Sequence, residues 1–233
     1  MVTNKGKMVV EKLHTVSKFA HETVAFAAEK LVCGVDEVGR GCLAGPVVAA
    51  AVIFPLGARI ANVRDSKLIS SKELPVLAQK IMKKAWFGFG IINPYLIDIC
   101  NIRQATLLAM CRAVENCLAT CPNLPQKILV DAMPLDQYFG QKIACFSAPK
   151  GESWSYSIAA ASILAKVKRD QLMQDYAKIF TGLYFDRHKG YGTKDHYQGL
   201  IDCGQTILHR QTFLKKFEQE FNCKDGRQQC TLF

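Results

Sequence analysis

None of the ten cysteines in this 233-residue chain lies in a C-x-x-C pair, which removes the commonest zinc and thioredoxin-like signatures. Long apolar runs are missing too. The longest, Leu43 to Leu56, is broken by Gly45, Pro46 and Pro55 and falls short of the roughly 20 residues that a membrane-spanning helix needs. Met1 to Lys7 is polar, with no apolar core of a secretory leader behind it. The cysteines therefore read as small hydrophobes of a soluble, cytoplasmic protein in a reducing compartment. No internal repeat is present, so a solenoid is excluded. Acidic residues are scarce: 20 Asp and Glu stand against 30 Lys and Arg, a net charge of +10. Basic surface concentrates phosphate backbones by attraction and counterion release, so a polyanionic partner is expected.

The remaining composition, 49% hydrophobic and 21% charged, is that of a globular protein and excludes disordered, collagen-like and coiled-coil classes. Residues 1–30 space Val9, Leu13, Val16, Phe19 and Ala20 as a helical extension ahead of the main domain. Strands are predicted over Leu31–Asp36, Val47–Phe54, Trp86–Ile92, Lys127–Asp131 and Ile143–Ser147, and helices over Asn101–Leu118, Ser157–Phe180, Thr193–Cys203 and Gln211–Phe221. That order implies an α/β fold with a mixed five-stranded sheet. The small residues of Ser157–Ala165 let their helix lie close against it. Residues 31–222 form the main domain on this reading, and 223–233 a flexible tail.

Asp36 and Glu37 end the first strand and run into Val38-Gly39-Arg40-Gly41. Adjacent strand residues point to opposite faces, so both carboxyls serve one site only if the strand breaks there, which the glycines permit. Their backbone also admits a phosphate or sugar hydroxyl at close range. Asp131 closes the apolar Ile128-Leu129-Val130, at the strand edge where ligands collect in open α/β sheets. Glu152 follows Pro149-Lys150-Gly151 at a helix start, where the helix dipole favours a negative charge. Two carboxylates about 5 Å apart repel by roughly 3 kcal/mol at an effective dielectric of 20. If Asp36, Glu37, Asp131 and Glu152 converge, bound cations must compensate them. All-oxygen ligands favour Mg²⁺ or Mn²⁺, two of which serve in-line attack on a phosphodiester. A basic protein with such a pocket is a nuclease candidate.

Gly34-Val-Asp36-Glu37-Val-Gly39-Arg40-Gly41, with Leu43-Ala44-Gly45-Pro46-Val47-Val48 behind it, resembles the signature of ribonuclease HII, the type-2 ribonuclease H. Asp65-Ser66-Lys67-Leu68, Asn101-Ile102 with Ala105-Thr106, Val130-Asp131, Ser157 to Lys166 with Arg169-Asp170, His188 to Thr193, and His209-Arg210 with Phe213 extend the likeness over Val32 to Phe213. The resemblance implies an RNase H-like fold. It also implies cleavage of the RNA strand of RNA–DNA hybrids and of single ribonucleotides within duplex DNA, leaving 3′-hydroxyl and 5′-phosphate ends. Asp36, Glu37 and Asp131 fall on the family's metal-binding acids. Gly39, Arg40 and Gly41 fall on the loop that contacts the 2′-hydroxyl, and Tyr191 on the aromatic that stacks against the ribose. Lys67, Lys150, Lys166 and Lys189 are candidates for phosphate contact, with solvated surface as the alternative.

At Lys150-Gly151-Glu152 the chain departs from the family's usual Lys-Gly-Asp, and Glu is more like the sister family, ribonuclease HIII. An HIII-like hybrid nuclease that cuts single ribonucleotides poorly is one rival, and a non-catalytic hybrid-binding module another. Arg169-Asp170 reads as an exposed or ion-paired helical pair, and His188, His196 and His209 as structural or phosphate-contacting. The end of the chain, Gln229-Cys230-Thr231-Leu232-Phe233, resembles the Gln-x-x-Leu-Phe peptide that docks on the bacterial sliding clamp. Gln229 would fix register while Leu232 and Phe233 act as anchors. The alternative is that both fold back onto the helix 211–221. The enzyme is expected to act as a monomer.

Overall fold

The computed structural model describes Ala25, residues 29–64 and residues 66–215. The helical extension expected over 1–30, apart from its last residues, and the tail with Gln229, Leu232 and Phe233 lie outside the described residues. One mixed sheet is built from β1 (Val32–Val38), β2 (Val47–Ile53), β3 (Trp86–Ile92), β4 (Lys127–Asp131) and β5 (Ala144–Ala148), in the order β3-β2-β1-β4-β5. β1, β2 and β3 form an antiparallel meander, while β4 and β5 add in parallel on the other side of β1. The order therefore reverses at β1, which makes the carboxyl edge between β1 and β4 the switch point where such sheets bind ligands.

Besides the helical residues 211–215, seven helices lie among the described residues: α1 (Glu73–Lys84), α2 (Pro94–Leu118), α3 (Asp136–Phe139), α4 (Gly151–Trp154), α5 (Tyr156–Ile179), α6 (Phe185–His188) and α7 (Lys194–Cys203), with α1, α2 and α5 covering the two faces of the sheet. β2, Val-Val-Ala-Ala-Ala-Val-Ile, is buried at every position because both its faces are covered. Val47, Ala49, Ala51 and Ile53 join the core beneath α2, and Ala50 and Val52 join the one beneath α1 and α5. Small residues bring the layers close. A Cβ on Gly34 of β1 would overlap the main chain of Ser157 and Ile158 in α5, and one on Gly90 of β3 would overlap the Ala109 carbonyl of α2.

Sequence periodicity misses α1, although its signal is present. Ser70 and Glu73 form a capping box, with Glu73 N donating to Ser70 Oγ at 3.3 Å and Ser70 N to Glu73 Oε2 at 3.4 Å, ahead of buried Leu74, Leu77, Ala78 and Ile81. α2 starts seven residues before the expected Asn101, capped by Asn93 with Pro94 in its first turn. It turns at Asn101, which adopts φ 66° and accepts hydrogen bonds from Arg103 N and Gln104 N. Asp98 in the first half of α2 caps the helical residues 211–215, accepting from Gln211 N at 2.8 Å and Thr212 N at 2.9 Å.

Behind the glycine-rich loop, three imidazoles pack around Phe185. Their bonds set every tautomer. Thr206 N donates to His209 Nδ1, so His209 Nε2–H donates to His196 Nε2 at 3.1 Å, and His196 Nδ1–H to the Tyr191 carbonyl at 3.0 Å. His188 accepts from Gly190 N, donates to the Leu183 carbonyl and stacks on His196 at 4.3 Å. All three rings are neutral, and burial lowers the pKa of His196 and of His209 to about 4. The unfolded chain binds protons near pH 6.5 and the folded one does not, so this stability is present above pH 6.5 and is lost as pH falls toward 4. Between pH 7 and pH 5 urea unfolding should report a loss on the order of 2 kcal/mol for each of His196 and His209. The ring resonances of the folded protein should stay unshifted over that range. Imidazoles titrating near pH 6.5 in the folded protein would contradict this account.

Candidate active site

Asp36 sits in β1, 7% exposed, opposite Ala50 of β2. The parallel register pairs Val35 with Val130, so the next residue on each strand sets Asp36 beside Asp131 at the carboxyl edge. The chain then leaves β5 through Pro149 and Lys150. Lys150 takes a left-handed conformation (φ 60°, ψ 40°) and turns Gly151 N to donate to Asp131 Oδ1 at 2.9 Å. Glu152 follows as the second residue of α4. The four acids proposed from sequence therefore reach one edge on three connections.

The strand break expected at Asp36–Glu37 does not occur. β1 stays paired with β2 through Val38, as Glu37 opposes Ala49 and Val38 opposes Val48. The two carboxyls nonetheless stay within reach of one another: Asp36 Oδ1 folds back to accept from Glu37 N at 2.7 Å, and the charge of Glu37 raises the Asp36 pKa. The backbone turns only afterwards, at Gly39 (φ 92°).

Burial raises the Asp36 pKa well above the carboxylate range, and the charges of Glu37 and Asp131 raise it further. Glu37 is raised by burial, partly offset by Arg40, whose Nη1 lies 3.3 Å from Glu37 Oε1. Glu37 Oε2 is buried without a hydrogen-bond partner. An orphaned carboxylate oxygen among mutually repelling carboxyls fits a hard divalent cation, which takes oxygen ligands. Among the described residues, no three His, Cys, Asp or Glu side chains already form a metal nest. One oxygen of Asp36 and one of Asp131 are instead occupied by backbone amides.

The glycine loop borders this edge. A Cβ on Gly39 would overlap Arg169 Nε, whereas one on Gly41 would meet nothing within 4 Å. Gly39 is thus required by the protein interior, and Gly41 leaves its backbone open to a ligand. Arg40 is exposed. Tyr191 is 41% exposed, with its ring 5.8 Å from the Arg169 guanidinium and its hydroxyl near the buried Cys42 thiol. Lys166 Nζ pairs with Asp170 Oδ1 at 2.7 Å on α5. Lys67 belongs to a 3₁₀ turn, Ser66–Leu68, whose Ser66 hydroxyl meets Ser162 at 2.7 Å. Arg169 is not the exposed helical residue expected: it is wholly buried, as is Arg210. No periodicity signals a buried arginine, and only the density of glycine and proline at 39–46 hints at backbone needing a partner.

A mixed five-stranded sheet with a buried Asp36 and further, half-buried acids at its switch point, beside an open glycine backbone, defines a ribonuclease H-like hydrolase. A sequence profile of the Ribonuclease HII family matches residues 33–216, and the chain belongs to that family. It is 50% identical over 183 residues to the ribonuclease HII of Ligilactobacillus salivarius, covering 78% of this chain and 69% of that one. The fold is similar to the PCNA:RNase HII complex of Archaeoglobus fulgidus (TM-score 0.64, 22% identity, 78% of this chain and 94% of that one). It is also similar to Bst-RNase HIII in complex with Mn²⁺ (TM-score 0.66, 22% identity, 92% and 73%). The chain is a ribonuclease H-type endoribonuclease. No helix among the described residues is long and apolar enough to cross a membrane.

Proposed function

We propose that this enzyme is metal-dependent and cuts both RNA–DNA hybrids and single ribonucleotides in duplex DNA, leaving 3′-hydroxyl and 5′-phosphate ends. The observation that carries the reading is the placing of Asp36, Glu37 and Asp131 at one carboxyl edge, where the charges of Glu37 and Asp131 raise Asp36 and that of Asp131 raises Glu37, in a chain whose Gly41 leaves its backbone open. Asp36, Glu37, Asp131 and Glu152 are the residues that would hold two Mg²⁺ or Mn²⁺ ions. When bound, the ions supply Lewis acidity and an activated water for in-line displacement.

The chain's own groups do the rest. Gly41, without a side chain, lets the ribose approach the main chain, and the N–H groups of the Gly39-Arg40-Gly41 loop select the 2′-hydroxyl that distinguishes RNA from DNA. Tyr191 offers a half-exposed ring to the sugar at the junction. Arg40, Lys67 and Lys166 neutralise flanking phosphates, Lys166 by exchanging Asp170 for a backbone oxygen. The net charge of +10 supplies the long-range attraction.

The test is cleavage of a duplex carrying one ribonucleotide, compared with a hybrid and an all-DNA duplex, with Mg²⁺, with Mn²⁺ and in EDTA. The first two substrates should be cut only with metal, and the all-DNA duplex never. Cleavage of the hybrid alone would indicate HIII-like behaviour, and metal-bound association without cleavage would indicate a binding module. We also assign Gln229, Leu232 and Phe233 to docking on the bacterial sliding clamp. A chain ending at Gln228 should lose clamp binding and keep its cleavage rate, and undiminished clamp binding would refute the assignment.

A further inference from the structure

Arg169 and Arg210 are among the largest fully buried side chains in the molecule, and both bond to main-chain carbonyls. Arg210 Nη1 donates to Arg40 O at 2.8 Å, its Nη2 to Gly39 O at 2.6 Å and Gly45 O at 2.8 Å, and its Nε to Gly45 O at 3.1 Å. Arg169 Nε donates to Pro46 O at 2.9 Å, its Nη2 to Ala44 O at 3.1 Å and its Nη1 to Lys189 O at 2.8 Å. Main-chain bonds join the same segments: Leu43 N and Ala44 N donate to Gly190 O, Gly45 N to Leu208 O, and Arg210 N to Leu43 O.

Filling space does not explain two buried cations, since an apolar side chain of similar volume does that at lower desolvation cost. A planar fork does what an apolar chain cannot, because it fixes the direction of the carbonyls it grips. In a trans peptide the C=O and the following N–H point opposite ways, and the described chain has no cis peptide. Turning the Gly39 and Arg40 carbonyls inward therefore turns the Arg40 and Gly41 N–H groups outward, toward the side that Gly41 leaves open.

We propose that Arg169 and Arg210 are positioning residues for ribose recognition. Arg210 aims the Arg40 and Gly41 amides at the 2′-hydroxyl, and Arg169 fixes the distance from that loop to Tyr191 by tying it to Lys189. This rests on the functional reading above.

The experiment measures affinity in EDTA, where nothing is cleaved, for a duplex with one ribonucleotide and for the same duplex in all-DNA form. Wild type should prefer the first. Arg210→Lys keeps the charge and loses the fork, so the preference should fall by about tenfold while all-DNA affinity stays within about twofold. Arg169→Lys should fall less, since none of the Arg169 bonds is to the Gly39 or Arg40 carbonyl. Gly41→Ala is the reference: its methyl meets no protein atom, so it should lose preference at an unchanged unfolding midpoint. A merely structural arginine would lower both affinities together through the folded fraction, and an unmoved ratio overturns the proposal. A wild type without preference overturns the functional reading, and the inference with it. Should neither arginine variant fold, amide exchange on wild type decides. Arg40 and Gly41 must exchange as freely exposed amides while Leu43, Ala44 and Gly45 are protected, and uniformly fast exchange across 39–45 overturns the proposal.

Discussion

Asp36→Asn and Asp131→Asn each lower hybrid cleavage by at least about a thousandfold, equivalent to roughly 4 kcal/mol of transition-state stabilisation, and leave hybrid affinity in EDTA within about twofold. Asn keeps the shape and the accepting oxygen, so the bond from Glu37 N to residue 36 and the bond from Gly151 N to residue 131 both survive. Only a negative charge is lost, and the basic surface is untouched. Stability should move the other way. The folded pKa of Asp36 is raised by burial and by its acidic neighbours, so its contribution to stability is present at low pH and lost as pH rises through the folded pKa. In EDTA at pH 7, Asp36→Asn should therefore unfold at the same or a higher temperature than wild type. Mg²⁺ should raise the wild-type midpoint by mass action and the variant's less. Near-normal turnover in either variant would sink the site assignment.

Gly34→Ala should cost about 2–4 kcal/mol, the cost of overpacking against atoms that cannot rotate away. The added methyl would overlap the Ser157 carbonyl carbon and the Ile158 nitrogen and come within 2.6 Å of Ser157 Cβ. Two of these are main-chain atoms of the first turn of α5, so strand and helix must separate. That turn follows Glu152 closely, and Gly34 lies two residues before Asp36. The methyl should thus lower the rate per folded molecule as well as the melting temperature. Gly57→Ala is the comparison, at φ 73° with nothing within 4 Å, where only the left-handed backbone cost of roughly 1–2 kcal/mol applies. Equal losses in the two variants would refute the packing account.

The parts of this molecule that could be read from sequence are those written in local chemistry. Trp86–Ile92 and Lys127–Asp131 fall on their observed bounds because short runs of aromatic, β-branched and apolar residues favour strands over helices. The acids at 36, 37 and 131 are visible as residues ending such runs, and Glu152 as one at a helix start. Their meeting is not, since it depends on the pairing of β1 with β4. Helix α1 escaped because its capping box and four apolar positions are brief and interrupted by Pro75. Arg169 escaped for a deeper reason. Its partners are carbonyls of a loop more than 120 residues earlier in the chain, and no pattern around an arginine shows that a distant main chain needs donors.

The seam between β1 and β4 also orders events in time. β1 meets β2 across the short 39–46 loop, and β2 meets β3 across the segment 54–85, but the pairing of β1 with β4 joins Val32 to Lys127, about 95 residues apart, and closing so long a loop is slow. During synthesis the antiparallel meander can form while β4 is still inside the ribosome. Asp36 and Glu37 then wait at a sheet edge until Asp131 and Glu152 arrive. On this order carboxyls that repel one another are brought together last, by the pairing of two apolar strands, and a partly made chain lacks the proposed site.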